Sequence, residues 1–108
     1  MKRIINLTPH TVSIYKNNEV FVRFAPEDIP ARVSFQNVLV DDLDGIPVST
    51  TVYSDIKGLL PEREDTIYIV SRMIAERCKD RRDLYVPNDM VKDEYGNNIG
   101  CRSLTRLW

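Results

Sequence analysis

Alternation of apolar and polar positions divides the first half of the chain into short strands. Val12 and Ile14, then Val20, Val22 and Phe24, alternate on either side of the polar cluster Lys16-Asn17-Asn18-Glu19, which predicts a hairpin of residues 11–15 and 20–24. A third strand is expected after Pro30, over Ala31 to Val40, with Val33 and Phe35 on one face and Arg32, Ser34 and Gln36 on the other. The run Val38-Leu39-Val40 breaks that alternation and reads as more fully buried. Asp41-Asp42-Leu43-Asp44-Gly45 is a turn, because Asp-Gly combines an Asx-type hydrogen bond with a residue tolerant of positive φ. Ile46 to Tyr53 is then the returning strand, and residues 54–65, with Gly58 and Pro61, suit a surface connection.

The clearest local pattern follows. Thr66-Ile67-Tyr68-Ile69-Val70 is β-branched and aromatic, as a central strand should be, and residues 71–79 are mostly good helix formers. Ser71 is the natural N-cap, and the last turn is basic. A short apolar run, Leu84-Tyr85-Val86, is expected to stop at Pro87, residues 89–93 fit no single element, and 94–98 form a turn. A last strand lies around Ile99 to Leu104, where Gly100 implies a bulge or a close approach of another backbone or a ligand. Ile67, Ile69, Ile74, Val33 and Phe35 are expected to share one core.

With 108 residues, 43% apolar and 29% charged, the chain fits a single α+β domain over residues 1–108. The expected architecture is a mostly antiparallel sheet with one main helix at 71–79. A formal charge of −1 disfavours general nucleic-acid binding, although a local anion site is allowed by the arginines of the second half, from Arg63 to Arg106. The start of the chain has no signal-peptide core and no stretch approaches a membrane span, so a cytoplasmic setting without a membrane partner is expected. Cys78 and Cys101 have no further Cys or His at ligand spacing, and free thiols are expected. The acidic turn at 41–45 lacks the spacing of a calcium loop. No metal or cofactor is implied, and a homo-oligomer is allowed.

Candidate chemistry gathers at two places. The elbow Asn6-Leu7-Thr8-Pro9-His10 carries the sole histidine beside turn-forming residues. Ser71 ends a strand and opens a helix, with Arg72 next to it. Pairing of the first strand with that at 66–70 would set these two places side by side. The candidate ligand-binding residues are therefore Thr8, His10, Ser71, Arg72 and Arg102. Catalytic residues are not identified: Ser71 is outside a nucleophile elbow, and only a spatially assembled set such as Ser71, His10 and Asp89 would serve as a hydrolytic triad.

Five segments carry a resemblance: Ile-Asn-Leu-Thr-Pro-His at 5–10, Ile-Pro-Ala-Arg-Val at 29–33, Gly-Ile-Pro-Val at 45–48, Thr-Ile-Tyr-Ile-Val-Ser at 66–71 and Gly-Cys-Arg at 100–102. Nearly the whole chain resembles a family of small, mostly uncharacterised cytoplasmic proteins encoded by bacteriophages, prophages and some bacteria. That resemblance implies phage association and attaches no established role to any residue. The functional expectation is a small non-enzymatic binding protein that captures a phosphorylated small molecule, such as a nucleotide signal of bacterial immunity. Two alternatives stand beside it: a small hydrolase or ring-opening phosphodiesterase using His10, and an interaction module that binds a host or virion protein through a sheet edge.

Overall fold

The computed structural model describes residues 2–108 and is dominated by β-structure. The strands are β1 (Arg3–Asn6), β2 (Val12–Lys16), β3 (Glu19–Phe24), β4 (Phe35–Leu43), β5 (Ile46–Tyr53), β6 (Thr66–Ile69), β7 (Leu84–Lys92) and β8 (Asn98–Thr105), with one helix, α1 (Arg72–Arg77), between β6 and β7. Six of the strands form a mixed sheet in the order β1-β6-β7-β8-β2-β3, while β4 and β5 pair only with each other. The antiparallel ladders β2–β3, β4–β5 and β7–β8 are the long ones; parallel pairing joins β1 to β6, β6 to β7 and, at Ile14 and Cys101, β2 to β8. The two edge strands of the sheet approach each other where Asn6 bridges Pro26, just past the end of β3.

Side-chain alternation gives this sheet two apolar faces. Ile5, Leu7, Tyr68, Val70, Leu84 and Val86 lie on one face with Ile74 and Ala75 of α1, whereas Ile69 turns the other way onto Val12 and Cys101. Burial of Tyr68 is compatible with its hydroxyl because that group donates to the Pro61 carbonyl at 2.8 Å.

Several expected elements are present: the β2–β3 hairpin with Asn17 and Asn18 both at positive φ, the buried strand β6, and the helix opened by Ser71. The helix ends at Arg77 rather than Lys79, since Cys78 already leaves helical geometry. Other expectations are corrected. Pro87 does not stop a strand; β7 runs through it to Lys92, with Pro87 opposite Leu104, Asp89 at φ 57° and the register shift placed further on, between Val91 and Lys92. The third strand starts at Phe35, because residues 31–34 are irregular apart from a bridge between Arg32 and Lys57. Val38-Leu39-Val40 is exposed rather than buried, and so is Phe35, for β4 and β5 form an arm outside the main sheet. The expected single core is accordingly divided: Val33 packs at its rim beside Ile74, Ile67 is half-buried, Ile69 faces the opposite side and Phe35 is outside.

Candidate functional site

The elbow after β1 is organised around a buried asparagine. Asn6 Oδ1 accepts from the Thr8 amide at 2.9 Å and from Thr8 Oγ1 at 2.6 Å, while its Nδ2 donates to the carbonyls of His10 at 2.7 Å and Phe24 at 2.9 Å. Every hydrogen-bonding position of that amide is thus used, which is what makes its burial tolerable. Leu7, also buried, donates its N–H to Ile69 O and accepts from Ala31 N. The elbow therefore fastens β1 to β3, β6 and the start of the 31–34 segment. His10 takes part through its backbone carbonyl, which leaves the imidazole free.

On the neighbouring strand, Ser71 Oγ accepts from the Ile74 amide at 3.4 Å and starts α1. Parallel pairing of β1 with β6 matches Asn6 to Ile69, so the elbow and the helix start emerge from the same end of the sheet. Between them and the β7–β8 hairpin lies a cleft of about 340 Å³. Its polar border includes Thr8, His10, Ser71, Arg72 and Asn98, and its apolar lining includes Val12, Val70, Pro87, Met90 and Ile99. The volume falls within the roughly 300–1,000 Å³ of small-ligand pockets, at the low end.

Four of the five sequence-derived candidates, Thr8, His10, Ser71 and Arg72, thus border one cleft. The Thr8 hydroxyl is engaged within the elbow, by Asn6 Oδ1 and the His10 carbonyl, and the Ser71 hydroxyl caps the Ile74 amide. His10 and Arg72 are exposed, and neither side chain has a hydrogen-bond or ion-pair partner among the described residues. These two are the groups available to an incoming anion. Arg102 does not border the cleft: it lies two residues along β8 from Gly100 and its guanidinium meets the Asp89 carboxylate at 3.3 Å. Asp89, paired with Arg102, is not among the residues bordering the cleft, and no hydrogen bond joins it to His10 or Ser71, so the triad considered from sequence is not assembled.

Gly100 has a structural explanation. A Cβ there would lie 2.7 Å from Ser13 O and 2.5 Å from the Tyr15 ring, so the close approach is that of β2 across the β2–β8 pairing. Asn98 and Met90 were missed by sequence reasoning, since they enter only once β7 continues beyond Pro87 and folds back as a hairpin.

A second, larger cleft of about 640 Å³ lies on the other side of Thr8 and Ser71, with Arg32, Lys57 and Asp55 among its lining groups. Comparison with protein-family models, curated proteins and solved structures finds no match to this chain. Among the described residues, no group of three His, Cys, Asp or Glu side chains is arranged to hold a metal ion, and no helix is long and apolar enough to cross a membrane. Both cysteines are free thiols, Cys101 buried and Cys78 half-buried; burial pushes each thiol pKa up.

Proposed function

We propose that this chain is a small phage-associated binding domain that captures a phosphorylated small molecule in the cleft between the β1–β2 elbow, α1 and the β7–β8 hairpin. One observation carries the reading: His10 and Arg72, both without protein partners among the described residues, border a cleft whose remaining lining is largely apolar. Such a cleft suits a ligand with a flat apolar part and an anionic group, the apolar part resting on Val12, Met90 and Ile99 and the anion meeting the cation at the rim. A nucleotide has both parts, and a nucleotide signal of bacterial immunity agrees with the resemblance to phage-encoded proteins. Recognition rests on side chains, because α1 has only six residues and its dipole is correspondingly small.

Capture is favoured over hydrolysis by the state of the neighbouring groups. Ser71 Oγ is an N-cap acceptor and Asp89 is paired with Arg102, leaving His10 without a hydroxyl to activate or an acid to orient it. The test is to incubate the protein with cyclic mononucleotides and cyclic dinucleotides, remove unbound nucleotide, denature, and weigh what is released. Intact nucleotide from the parent chain and none from Arg72→Ala is the expected result. A cleaved product would make His10 a catalytic group, and no retention of any phosphorylated compound would remove the cleft from consideration.

A further inference from the structure

The β4–β5 arm is the feature the ligand cleft leaves unexplained. Seven of its large apolar side chains, Phe35, Val38, Leu39, Val40, Leu43, Ile46 and Val52, are between 36% and 68% exposed. An isolated two-stranded hairpin is marginal in water, and the radius of gyration of 16.9 Å exceeds the roughly 13 Å of a compact domain of this length.

Its two free edges differ. The β4 edge is blunted by the bulge between Leu39 and Asp41 and by the carboxylates of Asp41 and Asp42, and the Asp42 amide is already bonded to Asp41 Oδ1 at 2.7 Å. The β5 edge has no such protection beyond Pro47, and Ile46–Tyr53 contains no charged residue. Ser54 N–H donates inward to Ser34 O, so strand alternation turns the even-numbered amides of β5 toward β4 and those of Ser49, Thr51 and Tyr53 outward. Pro47 belongs to the outward set, which leaves 49–53 as the open stretch.

We propose that this stretch pairs antiparallel with the same stretch of a second copy of the chain, about a two-fold axis at Thr51. Ser49 then exchanges both hydrogen bonds with Tyr53 of the partner copy, and Thr50 lies across from Val52; no like charges are opposed. The same antiparallel sense directs each arm tip, where Asp44 and Gly45 make the turn, toward the partner's segment beyond Tyr53, which holds Lys57. Charge complementarity selects a second copy over a foreign strand: Asp41, Asp42 and Asp44 cluster at the tip, and at the arm base Lys57 and Arg32 form a basic pair that outnumbers the one carboxylate beside them, Asp55. The two arms therefore join edge to edge into one four-stranded sheet through residues 49–53, acidic tip toward basic base, and the His10 cleft lies outside the contact that this pairing requires.

Light scattering should give twice the 12.5 kDa chain mass for the parent protein. Thr51→Pro removes an outward amide without touching the inner ladder and should return a single-chain mass. Lys57→Glu should weaken the dimer and Asp44→Lys in the same chain should restore it. Thr51→Cys should cross-link under mild oxidation, because paired Cα atoms about 5.5 Å apart are within disulfide reach. A parent protein that stays at single-chain mass up to its solubility limit overturns the proposal, as does a dimer whose Thr51→Cys form does not cross-link.

Discussion

Asn6 is the residue on which the elbow depends. Its side chain makes four hydrogen bonds to three residues, Thr8, His10 and Phe24, while fully enclosed, so removing it takes a partner from the Phe24 carbonyl and the Thr8 amide at once, whereas the His10 carbonyl keeps the Thr8 hydroxyl at 2.9 Å. Asn6→Ala should cost about 2–4 kcal/mol, since each stranded buried group costs on the order of 1–3 kcal/mol before relaxation; a shift in the denaturant midpoint measures it. His10→Ala should leave the midpoint in place, because only the His10 carbonyl belongs to the clamp. Burial acts differently on Cys101. Its folded thiol has a raised pKa, so the stability contributed by keeping it neutral is present below the ordinary cysteine range and is lost as pH climbs through the folded value. Melting temperature should therefore fall with rising alkalinity, and Cys101→Ala should reduce that fall.

Among the elements, β6 and the β4–β5 arm have sequences of similar apolar character and opposite environments. Thr66–Ile69 lies between β1 and β7, and Ile69 is wholly enclosed; replacing it with Ala should cost about 2–5 kcal/mol by calorimetric or denaturant unfolding, cavity included. Val38-Leu39-Val40 has equal hydrophobicity but no layer above it. Local pattern reveals that a strand exists and which residues alternate, as it does for β2, β3, β5 and β6. It carries no information on whether another layer arrives, which is why the arm reads as core from sequence. Pro87 fails for a related reason: a proline ends pairing only where its missing N–H is needed, and β7 tolerates it opposite Leu104 with Asp89 at positive φ nearby. The candidate site was more legible than the β7–β8 part of the fold because Thr8, His10, Ser71 and Arg72 sit at strand ends, and a single correct pairing of β1 with β6 brings them together. Arg102, an arginine of the segment Gly-Cys-Arg at 100–102, is instead paired with Asp89 two residues along β8 from Gly100, a partner that only the β7–β8 register reveals.

For the whole molecule, the sheet separates two surfaces with different demands. One end presents a small cleft bordered by a histidine and an arginine, and the arm presents an uncharged edge between an acidic tip and a basic base. Anion capture in the first of these is tested most directly by a calorimetric titration of a cyclic dinucleotide into the parent chain, Arg72→Ala and Arg102→Ala. Saturable binding by the parent and by Arg102→Ala, weakened at least about tenfold in Arg72→Ala at unchanged melting temperature and less dependent on Arg72 at high salt, is the predicted result. Equal affinity in the parent and Arg72→Ala, or a loss in Arg102→Ala as large as that in Arg72→Ala, would contradict it.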